Sequence, residues 1–294
     1  MDLRNGKVRN YLSLVKFSHT IFAMPFALIG YFIAIKLNTI EFSWKLLGLV
    51  ILCMVFARNA AMAFNRYIDR EIDLKNPRTL LREIPAGIIK PKSALKFVIL
   101  NCALFVATTY FINMLTFYLS HLALVIILTY SITKKISSLC HFVLGTGLAL
   151  APIGAYLAVT GKFDLLPILY SFVVLFWVSG FDIIYALQDE EFDKQEALHS
   201  IPVLFGKKNA IALSIIVHVF SAGLVVFAGF SAGFGLLYWI GSALFLGLLL
   251  YQHLLVKPND LSRVNLAFFT LNGIASIVFA AFTILDLYFP IQVL

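Results

Sequence analysis

Charge is scarce in this chain. Only 13% of its 294 residues are Asp, Glu, Lys or Arg, against about a quarter in a soluble domain, and 61% are hydrophobic, with a mean hydropathy of +0.92. That balance excludes a water-soluble globule with a large core and fits an integral membrane protein. Cysteine is scarce too. Cys53, Cys102 and Cys140 stand in or beside apolar segments with no paired spacing. That spacing gives no support to a disulfide framework or a zinc site, and the thiols read as apolar packing. There is no Gly-rich phosphate loop, Walker pattern or GxSxG elbow, so neither a nucleotide-driven pump nor a serine hydrolase has support. The six histidines are scattered without metal-ligand spacing. The basic start, MDLRNGKVRNYLSLVK, runs into an apolar segment without a small-residue cleavage site, and that segment reads as a retained helix.

What the chain has in quantity is apolar runs. A spanning helix needs about 20 mostly apolar residues, and nine segments qualify: 19–36, 44–64, 94–112, 115–132, 140–160, 165–187, 209–228, 234–255 and 264–288. The expectation is an all-α integral membrane protein of nine transmembrane helices. With the N-terminus on one side and nine crossings, 20 of the 23 Lys and Arg residues fall on that side, and Lys36, Lys45 and Lys162 on the other. By the positive-inside rule the N-terminus is then cytoplasmic. The net charge of +8 is largely this bias. It suits an anionic inner leaflet and gives no argument for nucleic acid.

Against this apolar background two acidic motifs stand out, Asn65-x3-Asp69-x3-Asp73 and Tyr185-x3-Asp189-x3-Asp193. Carboxylates at i and i+4 share one helical face, and ionisable residues in a membrane segment are costly and need a reason. Both motifs end helices on the cytoplasmic side. A single offset of 120 residues aligns Asp69 with Asp189 and Asp73 with Asp193, which suggests a weak internal repeat, 44–160 and 165–288, within one domain over 1–294. Facing each other, the two motifs would make an oxygen-rich cage for a divalent metal, with Asn65, Asp69, Asp73, Asp189 and Asp193 as ligands. Mg²⁺ suits such oxygens and is commonly shared with phosphate. The second motif is dense in acid, with Glu190, Glu191 and Glu196 beside its aspartates, against the basic character of the other cytoplasmic loops. Arg78, Arg82, Lys134 and Lys135 could touch the rest of a diphosphate. Lys16 and His19, in KFSHTIFAMPF, could line a pocket at the start of the first span. Pro25 and Pro152 could kink their helices.

These residues resemble the UbiA-type intramembrane aromatic prenyltransferases over nearly the whole chain. The family's Asn-x3-Asp-x3-Asp, Arg-Thr and Pro-x-Gly stand as Asn65, Asp69, Asp73, Arg78-Thr79 and Pro85-Ala86-Gly87. Its Tyr-x3-Lys-Lys/Arg stands as Tyr130, Lys134 and Lys135, and its second signature as Asp182, Tyr185, Asp189 and Asp193. The resemblance implies nine helices around a central cavity and a lateral route for a lipid tail. It also implies Mg²⁺-dependent transfer of a polyprenyl group from its diphosphate to a small aromatic acid, with Tyr130 and Tyr185 among the substrate-binding residues. The place implied is a bacterial inner membrane, with the site facing the cytoplasm and no obligate protein partner. The stretch Arg82-Glu83-Ile84-Pro85-Ala86-Gly87 departs from the Arg-Pro-Leu-Pro-Ser-Gly frequent in quinone-forming members. The expected acceptor is 4-hydroxybenzoate, for ubiquinone. The alternatives are 1,4-dihydroxy-6-naphthoate or 1,4-dihydroxy-2-naphthoate, for menaquinone. From other classes, a cation-coupled transporter would place its acids near the midplane, and a scaffold would leave both motifs unexplained.

Overall fold

The computed structural model describes residues 6–16 and 22–292. Among these the chain is helical, with no strand beyond an isolated bridge between Lys257 and Asp260. A short α1 (Lys7–Leu14) is followed by α2 (Met24–Leu37), α3 (Trp44–Ile68), α4 (Arg70–Lys75), α5 (Pro91–Tyr110) and α6 (Met114–Thr133). Then come α7 (Cys140–Thr160), α8 (Leu165–Ala186), α9 (Glu190–Gln195), α10 (Ile201–Ala232), α11 (Leu236–Leu255) and α12 (Asn272–Tyr288). Eight helical stretches are long and apolar enough to cross a membrane, and α2 is a shorter apolar helix. Their outward faces carry Leu, Ile, Val and Phe side chains such as Val125, Phe220, Phe230 and Leu250. This is a multi-pass membrane protein.

Helix ends follow local chemistry. Ser43, Asn113 and Ser200 accept backbone N–H bonds from residues three further on, capping α3, α6 and α10. Pro25 does not kink a helix: it sits in the first turn of α2, where its missing N–H costs nothing. Pro152 does lie inside α7, and Gly30 of α2 packs against its carbonyl so closely that an added Cβ would sit 2.1 Å from the oxygen. Gly206 has φ 76° and breaks α10 after its first turn. The segment 209–228 is thus the straight part of a longer element.

The bundle is organised around α8, which packs on α7 and α10, while α2 packs on α7 and α12, and α3 on α5. Tyr170, Val173, Val174, Trp177 and Val178 of α8 are fully buried. A polar thread crosses this core. Trp177 donates to Asn272, whose amide donates to Gln252 and to the carbonyls of Ala267 and Phe268. Those carbonyls belong to a π-helical segment, Leu266–Leu271, that leads into α12.

Candidate active site

Each acidic motif straddles a break between helices. Asp69, at φ −92° and ψ 5°, separates α3 from α4. Asp189, at φ −103° and ψ 0°, ends a 3₁₀ turn, Leu187–Asp189, and starts α9. Both lie in the bridge region of backbone space, where many active-site residues sit. The i+4 register survives the first break, because the amide of Asp69 bonds to Asn65 and that of Asp73 to Asp69.

The two motifs meet at one cavity of about 720 Å³. It is lined by Lys16, Asn65, Asp69, Asp73, Arg78, Arg82, Tyr130, Lys134, Lys135, Tyr185, Asp189 and Asp193. Every sequence candidate within the described residues is therefore on one surface; His19 lies outside those residues. The surrounding acids separate by direction. Asp189 and Asp193 line the cavity, whereas Glu190 pairs with Lys194 at 2.6 Å and Glu196 with Lys75 at 2.6 Å.

The carboxylates do not close into one cage. Among the described residues no group of three or more His, Cys, Asp or Glu is placed to hold a metal ion. Each motif aspartate faces its own base instead. Asp73 Oδ1 is 2.6 Å from Arg82, Asp193 Oδ1 is 2.7 Å from Lys134, and Asp69 Oδ1 is 3.6 Å from Lys135. Arg78 grips Asp189 through both Nε (3.0 Å) and Nη2, and donates from Nη1 to the Tyr185 hydroxyl at 2.7 Å. The physical reason is repulsion: carboxylates brought together with no cation between them cannot all stay ionised, and the basic side chains spread them apart.

Electrostatics follow burial and these partners. Burial lifts the Asp69 carboxyl to about 6, although Lys135 pulls it the other way. Burial disfavours the charges of Arg78 and Lys134, but Asp189 with Tyr185 and Asp193 respectively outweigh it, so both hold their protons more firmly than usual. The donor set suits Mg²⁺, which takes oxygen ligands and keeps several waters. Asp73 Oδ2 in particular is buried with no hydrogen-bond partner. One or two carboxylates from each motif could hold an ion there.

Several contributors escape the motifs. Phe268 stacks on Tyr185 at 4.1 Å between centroids, and Phe22, Phe181 and Phe269 complete an aromatic wall. Asn76 donates to Asp189 at 3.3 Å. Arg58 and Arg66 carry buried guanidinium nitrogens without partners. Arg58 lies well inside the apolar run of α3, and an arginine at such depth is a signal of function in its own right. It lines both the polar cavity and an adjoining apolar groove of about 380 Å³, as do Met62, Tyr130, Leu144 and Leu148.

The chain is similar to known proteins over most of its length. The pattern of the UbiA prenyltransferase family matches residues 23–274. A 4-hydroxybenzoate octaprenyltransferase from Aliivibrio fischeri is 29% identical over 247 residues, 83% of this chain and 85% of that protein. One from Paraburkholderia phymatum is 31% identical over 241 residues, 81% of this chain and 83% of that protein. Among solved structures, a UbiA homolog from Aeropyrum pernix K1 covers 91% of this chain and 98% of its own at 32% identity, with a TM-score of 0.82. A UbiA homolog from Archaeoglobus fulgidus bound to GPP and Mg²⁺ shares the fold at 22% identity, with a TM-score of 0.74 over 95% of this chain and 99% of its own.

Proposed function

The chain belongs to the UbiA prenyltransferase family, and from that membership we propose that it transfers a polyprenyl group from its diphosphate to 4-hydroxybenzoate in ubiquinone synthesis. The reaction takes place at a bacterial inner membrane, with the site open to the cytoplasm. The observation that carries this reading is the matched set of four acids and four bases at the mouth of a cavity that continues into an apolar groove. Such a set can exchange partners. When diphosphate arrives, Arg78, Arg82, Lys134 and Lys135 turn from carboxylate to phosphate oxygens, and Asp69, Asp73, Asp189 and Asp193, with Asn65, are released to hold Mg²⁺. The ion, when bound, supplies positive charge that stabilises the departing diphosphate.

The remaining roles fall to the walls. Arg78 keeps Tyr185 in place through its hydroxyl, and Tyr185 and Phe268 present stacked rings to the cavity. Ring faces stabilise a developing allylic cation, and the apolar groove takes the prenyl tail and excludes water. Arg58 anchors the acceptor carboxylate. It is 11 residues before Asp69, about 16 Å along a helix axis at 1.5 Å per residue, which puts the anchor on the far side of the acceptor from the diphosphate. Lys16, with φ 46° at the end of α1, adds positive charge at the rim.

The test is purified protein with Mg²⁺, a polyprenyl diphosphate and, in parallel, 4-hydroxybenzoate, 1,4-dihydroxy-2-naphthoate and 1,4-dihydroxy-6-naphthoate. Prenylated 4-hydroxybenzoate is the expected product. A product from a naphthoate alone would overturn the acceptor and keep the reaction class; no prenyl transfer to any of them would overturn both.

A further inference from the structure

Carbon–carbon bond formation leaves one step without an assigned group. The attacked ring carbon then carries both the new prenyl substituent and its original hydrogen, and that hydrogen must leave as a proton for the ring to become aromatic again. The four motif aspartates are poorly suited to take it, because they face bases and serve the diphosphate end of the cavity. We propose that Asp182 takes this proton and that His141 is the residue that positions it. The inference rests on the aromatic prenyl transfer proposed above.

Asp182 projects from α8 into the same cavity. It lies seven residues before Asp189, about 10 Å deeper along the helix axis. Like Arg58, it precedes its motif aspartate and so lies on the membrane side of the diphosphate end, and both residues line the cavity in which an acceptor ring anchored on Arg58 would lie. Tyr130 of α6 lines the cavity beside it. The carboxylate is not paired with Lys or Arg; its one ion-pair partner among the described residues is His141, 2.7 Å from Oδ2. A carboxylate without a permanent cation keeps an electron pair for a proton.

The pair is built for orientation. His141, at the start of α7, is 3% exposed in its side chain, against 20% for Asp182. Its Nε2 lies 3.3 Å from the backbone N–H of Ile201, which donates to it. That bond makes Nε2 an acceptor and leaves the ring proton on Nδ1, where it is donated to Asp182. Oδ2 is therefore held by His141, and Asp182 itself lines the cavity. This is the arrangement of a general base fixed by a third group. In the step itself the C–H electron pair returns to the ring, the proton goes to Asp182, and the diphosphate departs as the leaving group of the earlier C–O cleavage. The proton then passes to the departing diphosphate or to solvent, which restores the carboxylate.

The experiment uses the full-length protein in detergent with Mg²⁺, polyprenyl diphosphate, and 4-hydroxybenzoate carrying deuterium at both ring positions next to the hydroxyl. Asp182→Asn is expected to lower turnover at least about 100-fold, within the range usual for a lost general base. It should keep its affinity for polyprenyl diphosphate and show a primary deuterium isotope effect larger than that of the wild type. His141→Gln, which keeps a donor, should retain more turnover than His141→Leu. Wild-type-like turnover in Asp182→Asn overturns the inference, as does a loss of turnover with an unchanged isotope effect or with lost diphosphate binding. Wild-type protein that makes no prenylated ring overturns the reading on which the inference rests.

Discussion

Replacing Arg58 by Met should weaken acceptor binding and strengthen the fold, and the opposite signs make this a demanding prediction. The Nε of Arg58 is buried and has no hydrogen-bond partner. A buried donor left unmet costs about 1–3 kcal/mol. Methionine fills similar length without that donor, so the ligand-free variant should gain about 1–3 kcal/mol, seen as a thermal midpoint a few degrees higher in detergent. With acceptor present the guanidinium is paired. Removing one side of a buried, hydrogen-bonded charge pair costs about 2–5 kcal/mol, so the KM for 4-hydroxybenzoate should rise from about 30-fold to several thousand-fold at 1.4 kcal/mol per tenfold. The KM for polyprenyl diphosphate should stay near the wild-type value, because the bases at the cavity mouth are untouched. The checks are steady-state kinetics with each substrate varied in turn and a melting curve of the ligand-free protein. An unchanged acceptor KM would refute the anchor. A lower midpoint would refute the claim that Arg58 holds an unmet buried donor in the free protein.

Two further outcomes follow from local features. Asp69 carries a carboxyl raised to about 6 by burial, with Lys135 opposing. Protons and a divalent ion compete for that carboxylate, so apparent Mg²⁺ affinity should fall by about tenfold per pH unit below 6 and level off above it. Metal titrations of turnover between pH 5 and 8 (roughly the window that brackets this group) test it, and a slope that persists in Asp69→Asn would assign the effect elsewhere. Gly206 sits at φ 76° and ψ 164°, a conformation that is essentially closed to L side chains. Gly206→Ala should cost about 1–3 kcal/mol, read as a lower melting midpoint, and a variant as stable as the wild type would show that the kink relaxes freely.

The fold was legible because the bilayer imposes a length on every apolar run. The segments 140–160 and 165–187 end within a residue of α7 and α8, and Met114–Thr133 differs from 115–132 by one residue at each end. Pieces without a long run, such as α1, α4, α9 and the first turn of α10, carry no comparable signal, since a few turns of polar helix look like loop. The site residues were legible because acids, unlike Leu or Phe, are expensive in this setting. Their partners were less so. Arg58 counts by sequence position among the cytoplasmic charges although it lies inside α3, and its depth is the signal that distinguishes it. His141 was one of several scattered histidines, because pairing with Asp182, 41 residues away, is a property of the packing of α7 on α8 and not of spacing. The aromatic wall depends on the π segment that turns Phe268 toward Tyr185, and no periodicity announces an extra residue in a helical turn.

The pairing pattern also explains why two motifs so far apart in sequence must act together. Adjacent lysines at the end of α6 divide between them: Lys134 reaches Asp193 of the second motif, and Lys135 reaches Asp69 of the first. Arg78, which follows the first motif, crosses to Asp189 of the second, and Lys75 crosses to Glu196. In the free protein these ties hold like-charged halves together across a cavity that would otherwise be forced open. In the proposed reaction a diphosphate with its metal would bring both signs at once, so the bases could leave the acids without either being stranded. The cost of opening each pair is then offset by a new pair of the same kind, and the site can bind a highly charged group at a membrane surface with little net change in buried charge. For the proposed reaction, an unaccompanied metal or an unaccompanied diphosphate would satisfy only one half of the set, and the pairing therefore predicts that the two bind together more readily than either alone.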